Sequence, residues 1–100
     1  MNVIYKPDAK TKAMSYVIIN DIHLMQQLVH GKIETHNIGE GVVMICNEDG
    51  KLIDMDYTLT DPDYGIIVGP VLFVGENEDD FCSLSAFQAD YVKLRYRRQL

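Results

Sequence analysis

The chain has little cysteine, no long apolar run and almost no basic charge in its middle, and each shortage excludes something. Cys46 and Cys82 are the only two cysteines in 100 residues, each inside an apolar segment. A small secreted domain stapled by disulfides would carry more, so a reducing cytoplasm is the expected setting. Apolar neighbours predict that both thiols are packed rather than nucleophilic. The longest apolar runs, Val42–Cys46 and Val71–Val74, fall far short of a bilayer span. Met1–Tyr5 lacks the basic-then-apolar order of a leader, so no signal peptide is expected. His23, His30 and His36 come without a Cys-x-x-Cys or His-Glu-x-x-His spacing, which predicts no metal site. The glycines at 39, 41, 65 and 69 spell no phosphate-binding loop, and no nucleophile–base pair is evident. The chain therefore reads as non-enzymatic and free of cofactors.

Basic charge is confined to the ends. Residues 20–80 hold thirteen of the fifteen Asp and Glu, but only Lys32 and Lys51 of the nine Lys and Arg. A net charge of −6 argues against direct nucleic-acid binding, because phosphates demand a basic face. The acid forms two runs: Asp54, Asp56, Asp61 and Asp63, then Glu76, Glu78, Asp79 and Asp80. The first run misses the calcium-loop pattern, since Thr58 and Leu59 stand where ligands would and no Glu closes the set. Gathered on one face, the two runs would focus a negative potential suited to a basic cleft on a partner. These eight carboxylates are the candidate partner-binding residues. In the tail, Lys93, Arg95, Arg97 and Arg98 complement the dipole at a helix C-terminus. They are also candidate anion or dimer contacts, because the basic ends of one copy can meet the acidic middle of another, and a homodimer is expected.

One hundred residues make one domain, residues 1–100. Val3–Tyr5 and Met14–Ile19 predict a hairpin with a long basic tip, ended on its first arm by Pro7. Ile22, Met25 and Val29 predict a helix of about ten residues, capped by Asn20 or Asp21 and stopped at His30-Gly31. Lys32–Asn37 alternates as a strand with one wet face, and Val42–Cys46 is apolar throughout, as in a strand covered on both sides. Asp49-Gly50 predicts a hairpin turn into a strand at Lys51–Met55. The polar stretch Asp54–Tyr64 is expected to be a surface loop, and residues 65–75 to return as strand with a bend at Gly69-Pro70. Ser83 or Ser85 should cap a last helix packing through Leu84, Phe87, Tyr91 and Leu94. These elements predict an α+β domain, a mainly antiparallel sheet with two helices packed on one face.

Cys46-Asn-Glu-Asp-Gly-Lys-Leu52, Ile66-Ile-Val-Gly69 leading into Val71–Gly75, Asp80-Phe-Cys-Ser-Leu84 and the upstream Met25–Glu34 resemble a family of small domains of unknown function. The family is carried by phages, prophages and plasmids of Gram-positive bacteria. The likeness covers roughly residues 14–90, with Asp56–Thr60 standing where the family has a short Pro-Asn or Asn-Arg loop. The resemblance implies an accessory protein of a mobile element, including counter-defence proteins of the anti-CRISPR kind. Joined to the charge pattern, it predicts an inhibitor that binds a host defence protein, such as a CRISPR nuclease, through an acidic surface. The alternative is a dimeric module that binds a small ligand or nucleotide, with anion contacts from the basic tail.

Overall fold

Two central strands organise the molecule, and both are apolar on both sides because both sides are covered. The computed structural model describes residues 1–100. Its strands are β1 (Asn2–Lys6), β2 (Met14–Val17), β3 (Ile33–Gly39), β4 (Val42–Asn47), β5 (Tyr57–Asp61), β6 (Gly65–Val68), β7 (Val71–Asn77) and β8 (Asp80–Cys82). The helices are α1 (Ile22–Val29) and α2 (Ala86–Arg95). An antiparallel sheet runs in the order β2-β1-β7-β4-β3, with β8 added to β7, while β5 and β6 form a separate two-stranded ribbon. The fold is thus the expected single α+β domain. No helix is long and apolar enough to cross a membrane.

The period of two divides the sheet's side chains between two cores. On one face, Val3, Tyr5, Val43, Ile45, Leu72 and Val74 meet Met25 and Val29 of α1. On the other, Ile4, Val42, Met44, Cys46, Val71 and Phe73 meet Leu59 and Ile67 of the ribbon and Val92 and Tyr96 at the end of the chain. The helices therefore lie on opposite faces, not on one as their patterns predicted. The topology gives the reason. α1 carries the chain from β2 at one margin of the sheet to β3 at the other, and so occupies one whole face; the ribbon and α2 cover what is left.

Local chemistry sets the helix ends. The Asp21 carboxylate accepts the amide of His23, and His30 itself takes the left-handed conformation, at φ 64°, where the sequence pointed to Gly31. Ser85 and Gln88 form a reciprocal capping box at the start of α2. The apolar row predicted for α2 is displaced: Phe87 and Leu94 are 66% and 61% exposed, whereas Val92 and Tyr96 are fully buried. Leu84 lies ahead of the helix, so a row counted from it is out of phase with the side that meets Phe73, whose ring is 5.2 Å from that of Tyr96.

Residues 51–64 also depart from expectation. Lys51–Met55 is not a strand but part of a series of turns, in which Asn47 Oδ1 accepts the amide of Asp49 and Gly50 O accepts that of Met55. The stretch read as a loop holds β5 instead. There Leu59 is buried against the sheet, and Asp61 shapes the turn into β6 by accepting the amides of Asp63 and Tyr64. Gly69 then returns the chain to the main sheet at φ 74°. That positive φ calls for glycine, and a Cβ there would in addition lie 2.5 Å from Met55 Sδ and push that side chain aside.

Candidate functional site

A cleft of about 300 Å³ opens between the β3 margin of the sheet, the turns after β4 and the ribbon. Its polar wall comes from strand pairing. Glu34 and His36, two apart on β3, point to the same side, and Cys46 of β4 sits opposite Glu34. Glu34 Oε2 is 3.2 Å from His36 Nε2 and accepts from Cys46 Sγ at 3.8 Å. The three donor atoms lie within 4.8 Å of one another. The Tyr64 ring packs on His36 with centroids 4.4 Å apart, and its hydroxyl donates to Asn37 O at 2.8 Å, holding the imidazole against the sheet. Leu52, Ile66 and Val68 form the apolar wall, and Lys51 stands at the rim. Burial, then the neighbouring Glu34 charge, pushes the Cys46 thiol up to about 12, so it is a protonated donor to Glu34 and not a nucleophile.

Sequence reasoning read the Glu34/His36 alternation but did not bring Cys46 to it. The signal was obscured by a bulge. β3 and β4 pair Gly39 with Val42 but Asn37 with Val43, leaving Ile38 as the extra residue. Counting back from the Gly39-Glu40-Gly41 turn would set Thr35 opposite Cys46; the bulge sets Glu34 there instead.

On the same face, the second polar group holds the ribbon to α2. The Asp61 side chain is fully buried and takes bonds from Arg95 Nε at 3.2 Å, Arg95 Nη2 at 3.0 Å and the Tyr96 hydroxyl. Arg95 Nη2 also reaches Asp63 at 2.8 Å. Burial alone would raise the Asp61 pKa, but the bonds from Arg95, Tyr96 and two backbone amides outweigh it and hold the carboxyl below its ordinary value. The same contacts outweigh the burial of Arg95 and raise its pKa, while burial and then Asp61 raise that of Tyr96.

The sequence profile of a domain of unknown function, DUF3846, matches residues 1–99. The chain belongs to the DUF3846 family. No curated protein and no solved structure matches it.

In this DUF3846 domain the eight candidate carboxylates do not share a face. Asp54 and Asp56 flank Gly69-Pro70, where the chain enters β7. Glu76 at the far end of β7, Glu78 and Asp79 in the turn, and Asp80 at the start of β8 lie together there, with Asp80 accepting from Asn20 at 2.9 Å. The seven residues of β7, at about 3.3 Å each, hold the two runs roughly 20 Å apart. Asp61 is withdrawn from solvent altogether, and exposed Asp63 is paired with Arg95. A single acidic surface is thus replaced by two acidic poles. At one, Asp54 and Asp56 are joined by Glu48 and Asp49, exposed in the turns after β4; at the other, Glu40 stands beside the Glu76 backbone. Among the tail cations, Arg95 is committed within the chain, while Lys93, Arg97 and Arg98 are exposed.

Proposed function

We propose that this DUF3846 domain acts by binding a protein partner and not by catalysis, through the rim of the cleft instead of through a continuous acidic face. One observation carries the reading. Leu52, Ile66 and Tyr64, which border the same cleft, are 84%, 54% and 42% exposed. Ile53, the next residue after Leu52, is exposed as well, and Glu34, Glu48 and Lys51 supply the charged groups of the cleft. Exposed apolar side chains bordered by charged ones suit a protein partner that seats an apolar anchor in the cleft, where charge pairing at the rim sets orientation and burial slows release. The likeness to proteins of mobile elements supports a host defence protein, a CRISPR nuclease among them, as that partner, and inhibition as the outcome. The protonated, carboxylate-bound state of Cys46 supports a non-enzymatic role.

The small-ligand alternative draws less support. Of the four tail cations, Arg95 is already held by Asp61 and Asp63, and the cleft offers Lys51 as its one lysine or arginine. The test is capture and protection in a Gram-positive host whose nuclease-based defence destroys an incoming plasmid. The wild-type chain should protect the plasmid and retain a host defence protein on an affinity column. The Leu52→Asp/Ile66→Asp pair, both exposed, should fold normally and lose both properties. Unchanged protection by that variant, or no protection by the wild type, defeats the reading.

A further inference from the structure

We propose that Glu34, His36 and Cys46 form a binding site for a borderline-soft divalent cation of the zinc class, with an exchangeable position facing the cleft. The proposal is separate from partner binding and uses the floor of the cleft, not its rim. The three side chains supply one oxygen, one nitrogen and one sulfur, which fits zinc. Calcium and magnesium take oxygen ligands, and a thiolate with an imidazole selects against both.

Geometry favours the site. A tetrahedral zinc ion with bonds of about 2.0–2.3 Å holds its ligand atoms roughly 3.3–3.8 Å apart. The Glu34–His36 and Glu34–Cys46 separations, 3.2 and 3.8 Å, already match those edges. The remaining edge closes from at most 4.8 Å by rotation of His36 or Glu34, whose side chains are 21% and 47% exposed. Paired strands fix all three Cα positions, so little ordering is left for binding to demand. Tyr64, packed at a tilt against the imidazole and bonded to Asn37 O, restricts how the nitrogen ligand can turn. The cleft supplies an entry path and room for water as a fourth ligand. Binding converts the Cys46 thiol to a thiolate and releases its proton to solvent, with the positive ion replacing that proton beside Glu34.

Cobalt(II) is the probe, because a cobalt–thiolate bond gives an intense near-ultraviolet charge-transfer band and tetrahedral geometry gives strong visible bands. The purified chain should take up one cobalt per molecule with both signatures, lose them on addition of zinc, and gain thermal stability with zinc alone. Cys46→Ser should abolish the charge-transfer band. Glu34→Gln and His36→Ala should each weaken binding by more than the roughly 10–100-fold that follows loss of an outer-sphere partner. Glu34→Gln keeps the side chain's shape at a half-exposed position, so its result stands even if the buried Cys46 variant is unstable. Absence of the charge-transfer band in the wild type, or equal affinity in all three variants (an ion held elsewhere, as by His23 or His30), overturns the proposal.

Discussion

The two faces of the sheet are built on different physics. Beneath α1 the core is aliphatic, with Tyr5 the one aromatic among its fully packed members, and that ring sends its hydroxyl to Leu28 O at the margin. Beneath the ribbon and α2 the core contains Phe73 and Tyr96 and is bordered by two polar groups, Asp61–Arg95–Tyr96 and Glu34–His36–Cys46. The first face is held by area removed from water and tolerates any apolar group of about the right volume. The second depends on directional bonds whose members, if orphaned, cost more than they contribute when paired.

Breaking the polar face should have the largest effect. Asp61→Ala takes the buried carboxylate from Arg95, leaving it Asp63 and the Tyr91 hydroxyl, removes the carboxylate acceptor of the Tyr96 hydroxyl, and should cost about 3–5 kcal/mol in denaturant unfolding. The loss should also appear in pH dependence. A carboxyl held below its ordinary value contributes stability that is complete above the unfolded-state value of 3.8 and disappears as pH falls through the lower folded value. Acid titration of unfolding should therefore show a component in that range for the wild type and lack it in Asp61→Asn. On the apolar face, Met25→Ala should cost about 2–4 kcal/mol through a cavity, with no change in the pH profile. A pH-sensitive Met25→Ala penalty would dissolve the distinction between the faces. Ser85→Ala, which removes one arm of the capping box, should cost about 1 kcal/mol and affect only the polar-face helix. Phe87→Ser, at a position read from sequence as core, should change stability by no more than about 0.5 kcal/mol.

The same division separates what was legible in the sequence from what was not. α1 could be read because its signals are local: a cap, a three-four repeat and a His-Gly stop. The main strands were legible for a similar reason, since alternation and β-branched content need no knowledge of partners. β5 was hidden because Tyr57–Asp61 lies among aspartates and a proline, and only Leu59 among its side chains is an apolar core residue. Its status as a strand depends on the ribbon folding back over Met44 and Phe73. The acidic face was misplaced by treating neighbours in sequence as neighbours in space: Asp61 and Asp63 turn toward Arg95, and β7 carries the second run away from Asp54 and Asp56. The Glu34–His36–Cys46 cluster required a register that a single bulged residue displaces.

β7 joins the two halves of the main sheet, pairing with β1 on one side and β4 on the other. It is also late in the chain, beginning at Val71. A growing polypeptide therefore holds two unconnected hairpins, β1–β2 and β3–β4, until about three quarters of it has been made. The partnership of Ile4 with Phe73 can form only then. Assembly must wait for long-range closure, which is slow compared with local pairing. In that interval the apolar sides of β1 and β4 have nothing between them, and the nascent protein is at its most vulnerable to proteases and to association with its own copies.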